Sequence, residues 1–116
     1  MRRWLEIRFE TEGIDERVLF LGTVSHERMP EIYAVADVLV APTYRESFGN
    51  TILEASASGV PVITTDEGGQ TEIVADGRTG FLVPRGDAQA LAGAMRDVVS
   101  DRRSLLQAGK AARREA

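Results

Sequence analysis

The chain contains no cysteine, which excludes disulfides and thiolate metal sites and fits a cytoplasmic setting. Nowhere does it carry the roughly 18–20 consecutive apolar residues that a membrane-spanning helix needs, so no membrane span is expected. The opening Met1-Arg2-Arg3-Trp4 is basic but has no apolar run behind it, and it does not read as a signal peptide. Positive charge is not in excess either: 14 Lys and Arg stand against 18 Asp and Glu, a formal charge of −4. Nucleic acids and anionic membranes select basic surfaces, so neither is an expected partner. Internal repeats and low-complexity linkers are absent. The single histidine, His26, precedes an expected helix with no catalytic partner acid or base evident, and it is not counted among the catalytic candidates.

What is present is an ordinary globular mixture, 43% apolar and 28% charged, in 116 residues. That length suffices for one domain with a real core and is too short for two. Residues 2–11 mix Trp4, Leu5, Ile7 and Phe9 with charges, and periodicity leaves helix and extended chain open. Residues 12–17 read as a turn. Short, wholly apolar runs at 18–22, 38–42, 60–65 and 81–83 read as buried strands. Between them, helical spacing begins near Met29, with Ile32, Tyr33, Val35 and Ala36 assigned to one side. A helix over 49–58 is closed by Gly59, and a Gly-Gly turn enters a short helix ending near Val74. Asp87 is placed to cap a helix reaching Ser100, and a last helix runs from Arg102 to about Arg114 with a basic, solvated face. Tyr33 and Phe81 are assigned to the core. Strands apolar on both faces, alternating with helices, imply an α/β fold with a parallel, Rossmann-like sheet flanked by helices. Ligands in such folds sit beyond the carboxyl ends of the strands, where loops open the next helix.

Two segments occupy that position, residues 42–50 and 65–69. The first contains Arg-Glu-Ser-Phe-Gly-Asn-Thr-Ile-Leu-Glu over 45–54, in which seven residues separate Glu46 from Glu54. Gly49 allows close backbone approach, and Asn50 and Thr51 fall in the first helical turn, where free N–H groups and the positive dipole end attract a diphosphate. A carboxylate one turn further in accepts hydrogen bonds only, and its two oxygens match a vicinal diol such as that of a ribose. Glu46, on the other side of the phosphate, then faces a second sugar. A capped helix with one acid complementing its dipole and one solvated acid explains the same residues, and on spacing alone it is the better account, because motifs this short recur by chance. The surroundings shift the balance. Ile52 and Leu53 give the helix an apolar side, residues 55–58 are small, and Glu54 interrupts a segment built for burial, so it needs a partner. Arg45, within reach of a phosphate, and Glu67, Gly68 and Gly69, at the mouth of the third strand, are further candidates to line the site. A solvated loop arginine and a simple turn remain open for them.

The stretch from Arg45 to Val83 resembles the nucleotide-sugar-binding region of retaining glycosyltransferases of the GT-B fold, family 4 (glycosyl transferases group 1). Two glutamates separated by seven residues, a small-residue helix, Gly-Val-Pro-Val-Ile, a Gly-Gly loop, Glu-Ile-Val and Asp-Gly-Arg-Thr-Gly-Phe-Leu-Val occur in the family's order. Ser47, where the family often has Gly, stiffens the loop and leaves the acids in place. The resemblance covers about residues 12–100. It implies transfer of a sugar from a nucleotide diphosphate donor to an acceptor with retained anomeric configuration. Glu46 would contact the donor sugar as the catalytic candidate, Glu54 the ribose, and Gly49, Asn50 and Thr51 the diphosphate. No metal and no other cofactor are implied, since helix-start amides and basic side chains stabilise the leaving diphosphate.

By the same resemblance, 1–116 reads as a single partial domain, the second half of the nucleotide-sugar-binding Rossmann-like domain. The N-terminal acceptor domain has no room in this length, nor do the leading strand, glycine turn and basic residues that begin the donor domain. The isolated chain is therefore not expected to complete a reaction. The alternative is a free-standing or inactive nucleotide-binding module, self-associating as a homo-oligomer through an exposed sheet edge. Sugar-nucleotide epimerases and phosphorylases share the architecture, but their motifs are not read here.

Overall fold

The computed structural model describes residues 2–42, 49–66 and 73–116. Three parallel strands, β1 (Leu39–Ala41), β2 (Val62–Thr65) and β3 (Gly80–Val83), lie in the order β1-β2-β3, with Val40 opposite Ile63 and Ile63 opposite Phe81. Alternation along each strand sorts the side chains onto two faces. Leu39, Val62 and Leu82 meet Tyr33, Ile52 and Ala55 from helices α2 (Met29–Val35) and α3 (Gly49–Ala57). Val40, Ile63, Phe81 and Val83 meet Leu91, Ala94 and Val98 from α4 (Ala88–Ser100) and Leu105 from α5 (Arg102–Glu115). Both faces of β2 are thus covered, and all four of its residues are buried, as the expected α/β fold with a parallel, helix-flanked sheet requires. Among the described residues, β1 pairs only with β2, so its other edge has no partner strand.

Local chemistry explains most of the boundaries. Pro30 in the first turn of α2 has no N–H to leave unpaired and a φ already set for a helix. Gly59, at φ 80°, closes α3: its N–H donates to Ser56 O and that of Val60 to Ala55 O, which satisfies two end carbonyls. Asp87 and Asp101 each accept a backbone N–H, from Ala90 (2.9 Å) and Ser104 (3.1 Å), and so start α4 and α5. Thr64 is fully buried on the central strand, where its hydroxyl donates to Ala41 O at 2.9 Å and ties β2 to the end of β1.

Three sequence expectations need correction. Residues 18–22 do not form a buried strand: they carry no regular structure, and Leu19 is 80% exposed. An apolar run becomes a strand only when a neighbour completes its ladder, and no described strand lies beside it. Val35 is 82% exposed, although Tyr33 on the same helix is buried, because two residues place it about 200° around the helix from Tyr33. Leu53 likewise faces solvent while Ile52 is buried. The segment left open at the N-terminus is a helix, α1 (Arg2–Thr11), supported by Arg2–Glu6 and Arg8–Glu12 ion pairs one turn apart and buried nowhere along its length.

Candidate functional site

Helix α3 follows β1 and starts at Gly49, so its N-terminal turn belongs to the carboxyl-end side of the sheet. An α-helix leaves its first four N–H groups without partners inside the helix, and these are the groups that meet an anion. Gly49, Asn50 and Thr51 supply this turn, as expected. Ile52, fully buried against the sheet, anchors the helix; removing such a side chain from water contributes about 2–3 kcal/mol. Glu54 lies two residues on, and its side chain is 36% exposed.

Glu54 is not alone. Tyr33, from α2, donates its hydroxyl to Glu54 Oε2 at 3.4 Å, and His26 Nδ1 lies 3.6 Å from Oε1. The tyrosine ring is 4% exposed and packed in the core, whereas the imidazole, in the short 3-10 turn His26–Arg28 before α2, is 83% exposed. Burial pushes the Tyr33 phenol pKa up, and the adjacent Glu54 carboxylate adds to the shift. The phenol therefore keeps its proton at neutral pH and acts as a donor. Part of the partner that a half-buried Glu54 demands is thus the protein's own. The carboxylate still has accepting capacity, because two oxygens offer about four lone-pair positions.

Sequence reasoning missed both neighbours. It placed Tyr33 in the core, which is right for the ring, and identified no partner acid or base for His26. Residues 26, 33 and 54 come from three segments that only the packing of α2 on α3 brings together. The other candidates, Arg45, Glu46, Glu67, Gly68 and Gly69, lie outside the described residues, as does most of the short helix expected before Val74. The carboxyl ends of the strands also border a cleft of about 220 Å³ lined by Pro42, Thr65, Val83, Pro84 and Asp87. Glu54 does not line it.

The family model described as "Glycosyl transferases group 1" matches residues 1–115. The chain belongs to this family. Among curated relatives, the D-inositol 3-phosphate glycosyltransferase of Streptomyces avermitilis is 43% identical over 104 residues, covering 90% of this chain and 22% of that protein. The counterpart from Mycobacteroides abscessus is 47% identical over 72 residues, 62% of this chain and 16% of that protein. Among solved structures, sucrose-phosphate synthase from Thermosynechococcus elongatus superposes with a TM-score of 0.89 at 38% identity, over 98% of this chain and 29% of that one. Anabaena HepE, solved in complex with UDP-glucose, gives 0.87 at 29% identity, over 97% of this chain and 30% of that one. The group 1 chain described here therefore spans less than a third of the length of each of these proteins, and its fold is that of the corresponding part of GT-B glycosyltransferases.

Proposed function

We propose that this group 1 domain is the donor-binding portion of a retaining glycosyltransferase, the second half of its nucleotide-sugar-binding domain. The observation that carries the reading is Glu54: a half-exposed carboxylate one turn into α3, held by Tyr33 and still able to accept from a ligand. Similarity to a protein solved with UDP-glucose supports a nucleotide diphosphate donor. In this reading the ribose diol donates to Glu54, the diphosphate rests on the amides at Gly49, Asn50 and Thr51, and Glu46 holds the donor sugar. Charge builds on the diphosphate as the glycosidic bond breaks, and fixed N–H dipoles at a helix start stabilise it without reorganising. Arg45, Glu67, Gly68 and Gly69 complete the lining. Attack on the sugar requires the acceptor-binding domain of a longer protein.

A two-dimensional ¹H–¹⁵N titration with UDP-, GDP- and ADP-sugars tests this. Amides from Gly49 to Glu54 are expected to shift for one nucleotide. A dispersed spectrum in which none of them moves at millimolar nucleotide would overturn the reading for this chain.

A further inference from the structure

We propose that Tyr33 is the positioning residue of the donor site: its hydroxyl holds Glu54 Oε2 so that the carboxylate is already aimed at the ligand, a role that presupposes Glu54 as the ribose contact. A glutamate on a helix surface explores many rotamers, and a ligand that must fix it loses affinity to that ordering. Here one carboxylate oxygen is tied to a group that cannot wander. The Tyr33 ring is 4% exposed and packs in one cluster with Ile52, Ala55 and Val62, so the hydroxyl position is set by the core. Ile52 and Ala55 flank Glu54 on α3, so the same packing fixes both the base of the glutamate and the far end of its tether. The bond occupies one lone-pair position on Oε2 and leaves the others for a diol.

His26 does not do the same work. Its imidazole lies 3.6 Å from Oε1 but is 83% exposed, with no packing to fix it. Without the phenol, Glu54 is free to swing towards solvent or towards His26. The competing explanation is that Tyr33 is a core residue whose hydroxyl takes the nearest acceptor, with no consequence for ligands.

The deciding experiment measures affinities of UDP, GDP and ADP, each against its 2′,3′-dideoxy form, by calorimetry on the wild-type chain, Tyr33→Phe and Glu54→Ala. Wild type is expected to prefer one ribonucleotide over its dideoxy form. Tyr33→Phe is expected to lose roughly fivefold of that preference, the effect of one net hydrogen bond, with unchanged affinity for the dideoxy nucleotide. The ring stays in place in this variant, and any fall in the folded fraction cancels in the ratio. If Glu54→Ala abolishes the preference while Tyr33→Phe retains it in full, the ribose reading stands and the positioning role is refuted. If Glu54→Ala keeps the preference, or wild type has none, the ribose assignment fails and the role of Tyr33 fails with it.

Discussion

Gly109 lies where α5 crosses the end of α3, and a single added methyl there should weaken the whole domain. A Cβ built on Gly109 falls 2.3 Å from the carbonyl oxygen of Gly59 and 3.2 Å from Pro61 Cδ. Ordinary carbon contacts are about 3.5–4.0 Å, so the two elements must separate by roughly 1 Å. The obstacle is backbone. Gly59 sits at φ 80° in the turn that closes α3, and Pro61 leads directly into the central strand, so neither yields cheaply. Overpacking of this kind costs about 1–3 kcal/mol, and the rigidity of the contact argues for the upper part of that range. Alanine recovers about 0.5–1 kcal/mol because it is the better helix former. The net expectation for Gly109→Ala is a loss of about 1–2 kcal/mol, or a melting temperature lower by roughly 4–8 °C in a domain of this size. Gly93 is the internal control. It also sits within a helix, α4, but nothing lies within 4 Å of its added Cβ, so Gly93→Ala should instead gain about 0.5–1 kcal/mol. Thermal unfolding followed by circular dichroism reads both. A Gly109→Ala chain melting at or above the wild-type temperature would refute the close approach of α5 to Gly59.

Glu54→Ala should weaken ribonucleotide binding by roughly 10- to 100-fold, as expected for a hydrogen-bonding carboxylate, and change stability by no more than about 1 kcal/mol; if the variant unfolds, the acid is structural and the ribose assignment loses its support. Asp87→Ala and Asp101→Ala each remove a helix cap and should each cost about 1 kcal/mol in urea unfolding, with no effect at either position counting against the capping bonds. In a Tyr44→Phe background, where Tyr33 is the remaining tyrosine, the phenol should ionise above the usual value of about 10, because burial and then Glu54 oppose the phenolate. The proton is held more tightly in the folded state, so the associated stability is full below the unfolded pKa and is lost as pH rises through the folded one. Ultraviolet titration showing ionisation at or below that of free tyrosine contradicts the placement of Tyr33.

The α/β class, three of the four strands and the helix starts at Gly49, Asp87 and Arg102 were legible in the sequence because each has a local cause. Wholly apolar runs report burial on both faces, Asp caps satisfy orphan N–H groups, and Gly59 supplies a positive φ that other residues resist. The positions of Glu54 and the first turn of α3 were legible for the same reason, since both follow from spacing along one helix. Only the tertiary structure decided the rest. Residues 18–22 have strand composition but no described strand to pair with, and a ladder is a property of two chains side by side. Val35 and Leu53 are apolar yet exposed, because which arc of a helix is covered depends on the neighbour that arrives. The Tyr33–Glu54–His26 grouping spans separations of 21 and 28 residues, beyond the reach of any local pattern. Short-range sterics and hydrogen bonding write the elements into the sequence, whereas the polar contacts that aim a side chain exist only once those elements are packed.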